Sequence, residues 1–245
     1  MILTRPGNKR RIAQSILPLF PEHDLFIDLF FGAGGMFFSK PKARHNIVND
    51  YDSEVYNLFR VIMDRKEELI DVWRMVPVHE DLLKYWRKNH ETDPVRKAAR
   101  FLFMSNLSFM GQMSTLIMER CNRYHAVEQR VDAVQEAIRG VKFMNCDFRK
   151  VLSKISFGPT GKDKSFIYAD PPYCETKGGN YDSFTIQDTT DLFDCLQASG
   201  CRFAVSEFDH PYLLQLASER KLTVHLIGER QNMKNRRMEI LIANY

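Results

Sequence analysis

The sequence predicts an α/β fold: a mostly parallel sheet with helices on its faces and an antiparallel strand at its C-terminal end. Three observations carry that reading. Short apolar runs alternate with segments of helical periodicity. Several of those runs end in an acid or in glycines rather than in a hairpin turn. The last two runs are joined by too short a link for a helical crossover, so they should pair antiparallel.

Taken in order, "DLFIDLF" (24–30) is a buried strand running into the glycine cluster "GAGG" (32–35), and "NIVND" (46–50) is a second strand ending at Asp50. From Ser53 the period changes. Val55, Phe59, Ile62, Leu69, Trp73 and Val76 recur at three- and four-residue steps or their sums, which predicts a helix with one apolar face. Asp93-Pro94 is an N-cap followed by proline at the first helical position, and Ala98, Phe101, Leu102 and Ser105 lie along the helix it opens. Strands return at "GVKFMNCD" (140–147), "SFIYAD" (165–170), "CRFAVSE" (201–207), "LTVHLIGE" (222–229) and "MEILIANY" (238–245). The helical block 53–140 interrupts the alternation. It is expected to be a second lobe inserted into a domain formed by 1–52 and 141–245.

Bulk properties exclude several classes. A net charge of +4 is compatible with a nucleic-acid partner but too small to argue for one, although "NKRR" (8–11) and "KNRR" (234–237) are local basic clusters. Five cysteines, an odd number without CxxC spacing, suit a reducing compartment better than a disulfide framework, and no metal site is expected. No apolar run is long enough to span a membrane and no secretory leader is evident, so a cytoplasmic protein is expected.

The chemistry gathers at strand ends. In open α/β sheets ligands sit beyond the carboxyl ends of the strands, and Asp50, Asp147, Asp170 and the glycine cluster all fall there. Each acid alone reads as a loop or cap residue; together they mark one edge of one sheet. The pattern "DLFFGAGG" is not GxGxxG, so dinucleotide binding fits poorly. Glycines that let backbone approach a ligand, followed by an acid able to accept hydrogen bonds from two ribose hydroxyls, point instead to an adenosine-containing ligand. In "FIYADPPYCE" (166–175), Pro171 and Pro172 cannot continue a central strand, so a carboxylate, a stiff backbone and Tyr173 are held just past its end.

Asp170-Pro171-Pro172-Tyr173 resembles the catalytic motif of the nucleic-acid amino-methyltransferases, and within them of the Dam-like (alpha class) DNA adenine-N6 methyltransferases. "DLFFGAGG" and "GNK" (7–9) resemble that family's cofactor motifs, "IVNDYD" its ribose-binding segment and "NCDF" (145–148) the segment that meets the cofactor adenine. The resemblance spans nearly the whole chain and is weakest in the middle block. It implies a Rossmann-like S-adenosylmethionine-dependent methyltransferase fold, with 53–140 as a target-recognition lobe. It also implies methyl transfer from S-adenosylmethionine to a flipped adenine in double-stranded DNA. Asp170, Pro171, Pro172 and Tyr173 would be catalytic. Arg5, Lys9, Asp28, Phe30, Gly32, Gly34, Asp50, Asp147, Phe148 and Asp170 would bind the cofactor. For Lys9 the alternative is a helix-start or phosphate-contacting lysine, and Asp28 reads equally as a brace for the first loop. Arg5 stands where the family usually has an aromatic ring, and "SEF" (206–208) where relatives often carry a serine-asparagine pair.

For DNA, "FLFMSNLSFMGQMS" (101–114) resembles the helix leading into the DNA-reading lobe, with Asn106, Phe109 and Gly111 fitting its pattern. The following "TLIMERCNRYHAVEQRVDAV" looks helical where the family has a basic, aromatic β-hairpin, so GATC specificity is not carried over. Arg120, Arg123, Tyr124, His125 and Arg130 are candidate DNA contacts, or equally a solvated helix face. Lys234 and Arg236, between the last two strands, are candidate backbone contacts, and "GGN" (178–180) a segment able to close over a base. A solution monomer and a cognate restriction endonuclease partner are expected. The competing readings are an RNA adenine or cytosine-N4 methyltransferase, and a non-catalytic nucleic-acid-binding relative.

Overall fold

The structure is a computed structural model. It describes residues 2–5, 7–108, 115–116, 121–157, 161–174, 184–231 and 236–245, with backbone only at 121–123 and 231. Among them seven strands form one sheet: β1 (Leu25–Asp28), β2 (His45–Asn49), β3 (Lys142–Met144), β4 (Ser165–Ala169), β5 (Arg202–Phe208), β6 (Thr223–Gln231) and β7 (Arg236–Ala243). Their order is β3-β2-β1-β4-β5-β7-β6. The first five run parallel, and β7 pairs antiparallel with both β5 and β6, as the short final link requires. β4 is buried along its whole length, which is why "SFIYA" is apolar without alternation: helices cover both of its faces.

The helices are α1 (Ala13–Ile16), α2 (Ser53–Asp64), α3 (Lys66–Met75), α4 (Glu80–Lys88), α5 (Pro94–Leu107), α6 (Cys121–Ile138), α7 (Ile186–Ser199) and α8 (Pro211–Glu219). On one face of the sheet Phe26, Phe166 and Tyr168 share a continuous core with Phe59, Trp73, Phe101 and Val131 of the helical block. On the other, Ile27, Ile167 and Phe203 pack against Leu192 and Phe193 of α7 and Leu213 of α8.

Asp93 caps α5 as its sequence implies, accepting from the backbone N–H groups of Val95 and Arg96 at 3.0 and 2.9 Å, with Pro94 in the first turn. The single helix expected from 53 to 76 is two. The break falls in the charged run "DRKEE" (64–68), where Arg65 leaves helical geometry (φ −139°, ψ 37°) and its guanidinium clasps Glu68 at 2.6 and 2.8 Å. The helix expected in 115–134 is α6, beginning at Cys121. Leu116, before it, makes an isolated antiparallel bridge to Ser108.

Two residues expected at a DNA surface are structural. Asn106 is buried. Its amide donates to the carbonyls of Ile2 (3.0 Å) and Leu102 (3.1 Å), and its carbonyl accepts from the Thr4 hydroxyl, so it fastens the N-terminal segment to α5. Tyr124 stacks on Trp73 (4.9 Å between centroids) and donates its hydroxyl to the Trp73 carbonyl at 2.5 Å, while Trp73 Nε1 donates back to the Tyr124 carbonyl. That reciprocal pair locks α6 to α3. Asn106→Ala would leave buried carbonyls short of a donor. It should lower unfolding free energy by about 1–3 kcal/mol in a denaturant titration, without changing DNA affinity of the folded fraction.

Candidate active site

The carboxyl ends of β1, β2 and β4 open toward one place, and the N-terminal segment crosses it. Gly35 allows that crossing: a Cβ there would collide with Asn8 Oδ1 and come within 3.0 Å of the Lys9 nitrogen. Asn8 accepts from the Arg10 N–H and starts a short turn of helix, Lys9–Arg11, that sends the Lys9 side chain inward.

Lys9 is 2% exposed. Its ammonium lies 2.6 Å from Asp170 Oδ1 and 3.2 Å from Glu239 Oε1, donates to the Tyr173 phenol oxygen, and sits 4.6 Å from the centre of that ring. The Tyr173 hydroxyl donates to Glu239 Oε2 at 3.1 Å, and Arg230 Nη1 donates to both the phenol oxygen and Glu239 Oε2 at 3.2 Å. Burial works against the Lys9 charge, but Asp170, Tyr173 and Glu239 outweigh it and hold its pKa above the usual lysine range. Burial lifts Asp170 to about 6, with Lys9 opposing a larger rise, so the pair is ionised at neutral pH. Only Oδ1 of Asp170 takes the lysine; among the described residues no hydrogen bond ends on Oδ2.

Sheet register explains why these groups meet. Phe208 of β5 is paired with Glu239 of β7, which is paired with Gly228 of β6, so the three form one row across the sheet. The Phe208 ring packs 4.2 Å from that of Tyr173. Its neighbour Glu207, 1% exposed, accepts from the Cys174 N–H at 3.0 Å and the Phe208 N–H at 3.1 Å. Two consecutive residues of β5 therefore hold the backbone and the ring at the end of "DPPYC". Burial pushes the Glu207 carboxyl up to about 8, against the pull of those two amides.

A second cluster lies at the ends of β1 and β2. Asp50 is almost fully buried; its Oδ2 accepts from the Gly32 N–H at 2.6 Å and its Oδ1 from the Asp52 N–H at 2.8 Å. Burial raises it to about 6, with those amides opposing. A carboxylate has about four lone-pair sites, so each oxygen keeps capacity for a further donor. Gly32 has φ +54°, and a Cβ there would meet nothing within 4 Å, so the backbone beside Asp50 faces open space. These features fit an adenosine ribose. Gly34, by contrast, is glycine for packing: a Cβ would strike the Phe38 ring at 2.5 Å. Phe30 and Phe148 meet at 5.6 Å between centroids and share Phe184 as a third ring.

Other expected residues are engaged by the protein itself. Arg5 binds Asp52 at 2.9 Å and lies 5.5 Å from the Phe101 ring centre. Asp28 is buried and accepts from the Phe30 N–H at 3.3 Å; burial and then the Asp170 charge push its carboxyl well up. Asp147 accepts from the Arg149 N–H and pairs with the Arg149 guanidinium at 3.1 Å, which also binds Asp191 at 2.8 Å and Asp188. Arg130 is exposed on α6, and Arg236 is exposed at the start of β7, 3.9 Å from Glu229. Arg120, Lys234, Phe109, Gly111, the segment 178–180 and the side chain of Arg123 lie outside the described residues. Among the described residues no group of three or more His, Cys, Asp or Glu is arranged to hold a metal, and no helix is long and apolar enough to cross a membrane.

A family model described as D12 class N6 adenine-specific DNA methyltransferase matches residues 6–239. The chain belongs to that family. It is 25% identical over 276 residues to the type II methyltransferase M1.LlaDCHI of Lactococcus lactis subsp. cremoris, covering 98% of this chain and 93% of the relative. It is 21% identical over 272 residues to the DNA adenine methylase of Escherichia coli (strain K12), covering 98% and 92%. A 26% match over 275 residues to the modification methylase StsI of Streptococcus sanguinis covers 98% of this chain but 42% of that protein. Membership makes the chain a DNA adenine-N6 methyltransferase by class and decides against the RNA, cytosine-N4 and non-catalytic readings.

Glu207, Arg230 and Glu239 are the polar groups that sequence reasoning did not assign. Glu239 had one signal, a lone acid inside the apolar run "MEILIAN". Glu207 also gives a pH prediction. Its folded pKa, about 8, is raised from 4.5. Its contribution to stability is thus fully present below about pH 4.5 and is lost as pH rises through about 8. Glu207→Gln should flatten that decline: urea midpoints at pH 5 and pH 8.5 should differ less in the variant than in the native chain.

Proposed function

We propose that the chain transfers a methyl group from S-adenosylmethionine to the N6 amine of an adenine flipped out of double-stranded DNA, with Asp170 and the Pro171 carbonyl as the groups that orient the amine. One observation carries this reading: Asp170 is half-buried at the end of β4 and accepts the Lys9 ammonium through Oδ1, while among the described residues no hydrogen bond ends on Oδ2, which leaves that oxygen as an acceptor.

The adenine amine is a poor nucleophile because its lone pair is delocalised into the ring. Acceptors on both N–H bonds favour a more tetrahedral nitrogen and free that pair. Asp170 Oδ2 supplies one, and the Pro171 carbonyl, restrained by the following proline ring, supplies the other. Bound S-adenosylmethionine supplies a methyl group on an electrophilic sulfonium. Asp50 and the Gly32 backbone would hold its ribose, and Phe30 and Phe148 would line its base. Alignment of amine and methyl accounts for much of the acceleration, and the fixed carboxylate lowers the barrier as charge develops on nitrogen. Extruding the base costs a few kcal/mol. Tyr173, partly exposed and braced by Phe208, would stack on it.

The block 53–140 would read the target, with Arg130 among its exposed cations, and Arg236 would meet phosphates from the β6–β7 hairpin. Similarity to a type II methyltransferase and to a modification methylase supports a role beside a restriction endonuclease. Action as a monomer in the cytoplasm, where DNA is available, completes the proposal.

Asp170→Ala should reduce kcat by about a thousandfold or more, as loss of an oriented charged group does, while its circular dichroism stays native. Near-normal turnover would remove Asp170 from the mechanism. Asp50→Ala should raise KM for S-adenosylmethionine at least about tenfold, the scale of a lost charged hydrogen bond, and leave DNA affinity unchanged in a filter-binding assay.

A further inference from the structure

The chemistry assigned above needs Asp170, Pro171 and Tyr173, yet the buried polar cluster around them extends into the C-terminal hairpin. Glu239 is 0% exposed and opens the buried half of β7, directly before the apolar run 240–243. An isolated carboxylate there would be costly to bury. It is retained among three polar partners: Lys9 at 3.2 Å, the Tyr173 hydroxyl at 3.1 Å and Arg230 at 3.2 Å. Gly228, its cross-strand neighbour on β6, has no side chain, and the strand register shifts between Leu226 and Gly228. Arg230, two residues on and therefore on the same face, reaches diagonally to Glu239 and Tyr173.

We propose that Glu239 is a positioning residue for methyl transfer, with Arg230 as its brace. Glu239 draws the Lys9 ammonium and the Tyr173 hydroxyl toward the hairpin, so that Lys9 engages one oxygen of Asp170 and leaves the other to the substrate amine. The proposal rests on Asp170 acting on that amine. The geometry is specific. The ammonium lies between two carboxylates, at 2.6 Å from one and 3.2 Å from the other, with the phenol oxygen as a third partner. Without Glu239, Lys9 would be drawn wholly onto Asp170 and would compete for Oδ2. Two cations and two anions make the cluster neutral, so it can be buried without a net charge.

The titratable groups facing Asp170 come from six directions: Lys9 on the N-terminal segment, Tyr173 on its own loop, Glu239 on β7, Arg230 on β6, Glu207 on β5 and Asp28 on β1. Glu239 raises the Asp170 pKa and Arg230 lowers it. Removing each should therefore move it oppositely.

The test is the pH dependence of kcat/KM for native enzyme, Glu239→Gln and Arg230→Gln, with S-adenosylmethionine and DNA of mixed sequence. The native acidic limb should fall near pH 6. Glu239→Gln should move it down and Arg230→Gln up, each by about one unit, the size of one charge at a partly buried site. Glu239→Gln should also lower kcat about tenfold, with KM for S-adenosylmethionine within about twofold of native. Limbs that stay in place or move in the same direction, or a plateau kcat of Glu239→Gln equal to native, overturn the proposal, since loss of charge alone moves the limb without lowering the plateau. If Glu239→Gln does not fold, Arg230→Gln decides alone, because Arg230 is partly exposed on the outer strand. Asp170→Asn is the control for the underlying reading. Turnover retained by that variant overturns both, whereas an inactive control with unmoved limbs overturns only the role of Glu239.

Discussion

One buried ammonium ties this molecule together. Lys9 comes from the ninth position of the chain, and its partners are Asp170, Tyr173 and Glu239, 161 residues and more away. A lysine taken out of water loses several kcal/mol of solvation unless neighbouring charges replace it. The N-terminal segment, the loop after β4 and the last strand must therefore arrive together. The loop after β4 gains its rigidity from that requirement as much as from its two prolines.

The sheet supplies the framework in which they arrive. Strands β1 and β4 are neighbours although the whole of β2, β3 and the helical block separates them in sequence. Chain crossovers therefore depart from β1 in both directions, and the crevice beyond its carboxyl end is the place where an open α/β sheet takes ligands. The Asp50 cluster lies on the β2 side of that crevice and the Asp170 cluster on the β4 side. A cofactor ribose on one side and an extruded base on the other would bring donor and acceptor to the midline. Antiparallel β7, inserted between β5 and β6, then carries Glu239 into the same space from the opposite chain direction.

What the sequence made legible was local. Every strand lay within a few residues of its expected place, because continuous apolar runs mark buried parallel strands and these runs end in acids. Asp93-Pro94 gave its cap because capping involves only the next three residues. "DPPY" was legible because two prolines lack the N–H groups a central strand needs, so the strand must end at the carboxylate before them. The rest depended on distant partners. Asn106 has polar chemistry suited to DNA, but Ile2 and Thr4 claim it. Tyr124 looked like an exposed aromatic on a basic helix until Trp73, on a helix predicted as one with α2, took both its ring and its hydroxyl. Glu207 and Glu239 stood out as acids in apolar runs, but their partners could not be read, since those lie in cross-strand register, which a single sequence does not state.

The same register bears on how a DNA adenine-N6 methyltransferase can keep an acceptor ready. A carboxylate buried beside a lone lysine has nothing else to draw the ammonium away from its second oxygen. Here the lysine is drawn from the far side by a second carboxylate, which is itself satisfied by an arginine and a phenol. The Asp170 carboxylate keeps the electrostatic benefit of a nearby cation, which opposes the upward shift from burial, and among the described residues its second oxygen takes no hydrogen bond. Ionisation and availability pull in opposite directions for a single ion pair; a five-membered, neutral network would let the fold have both.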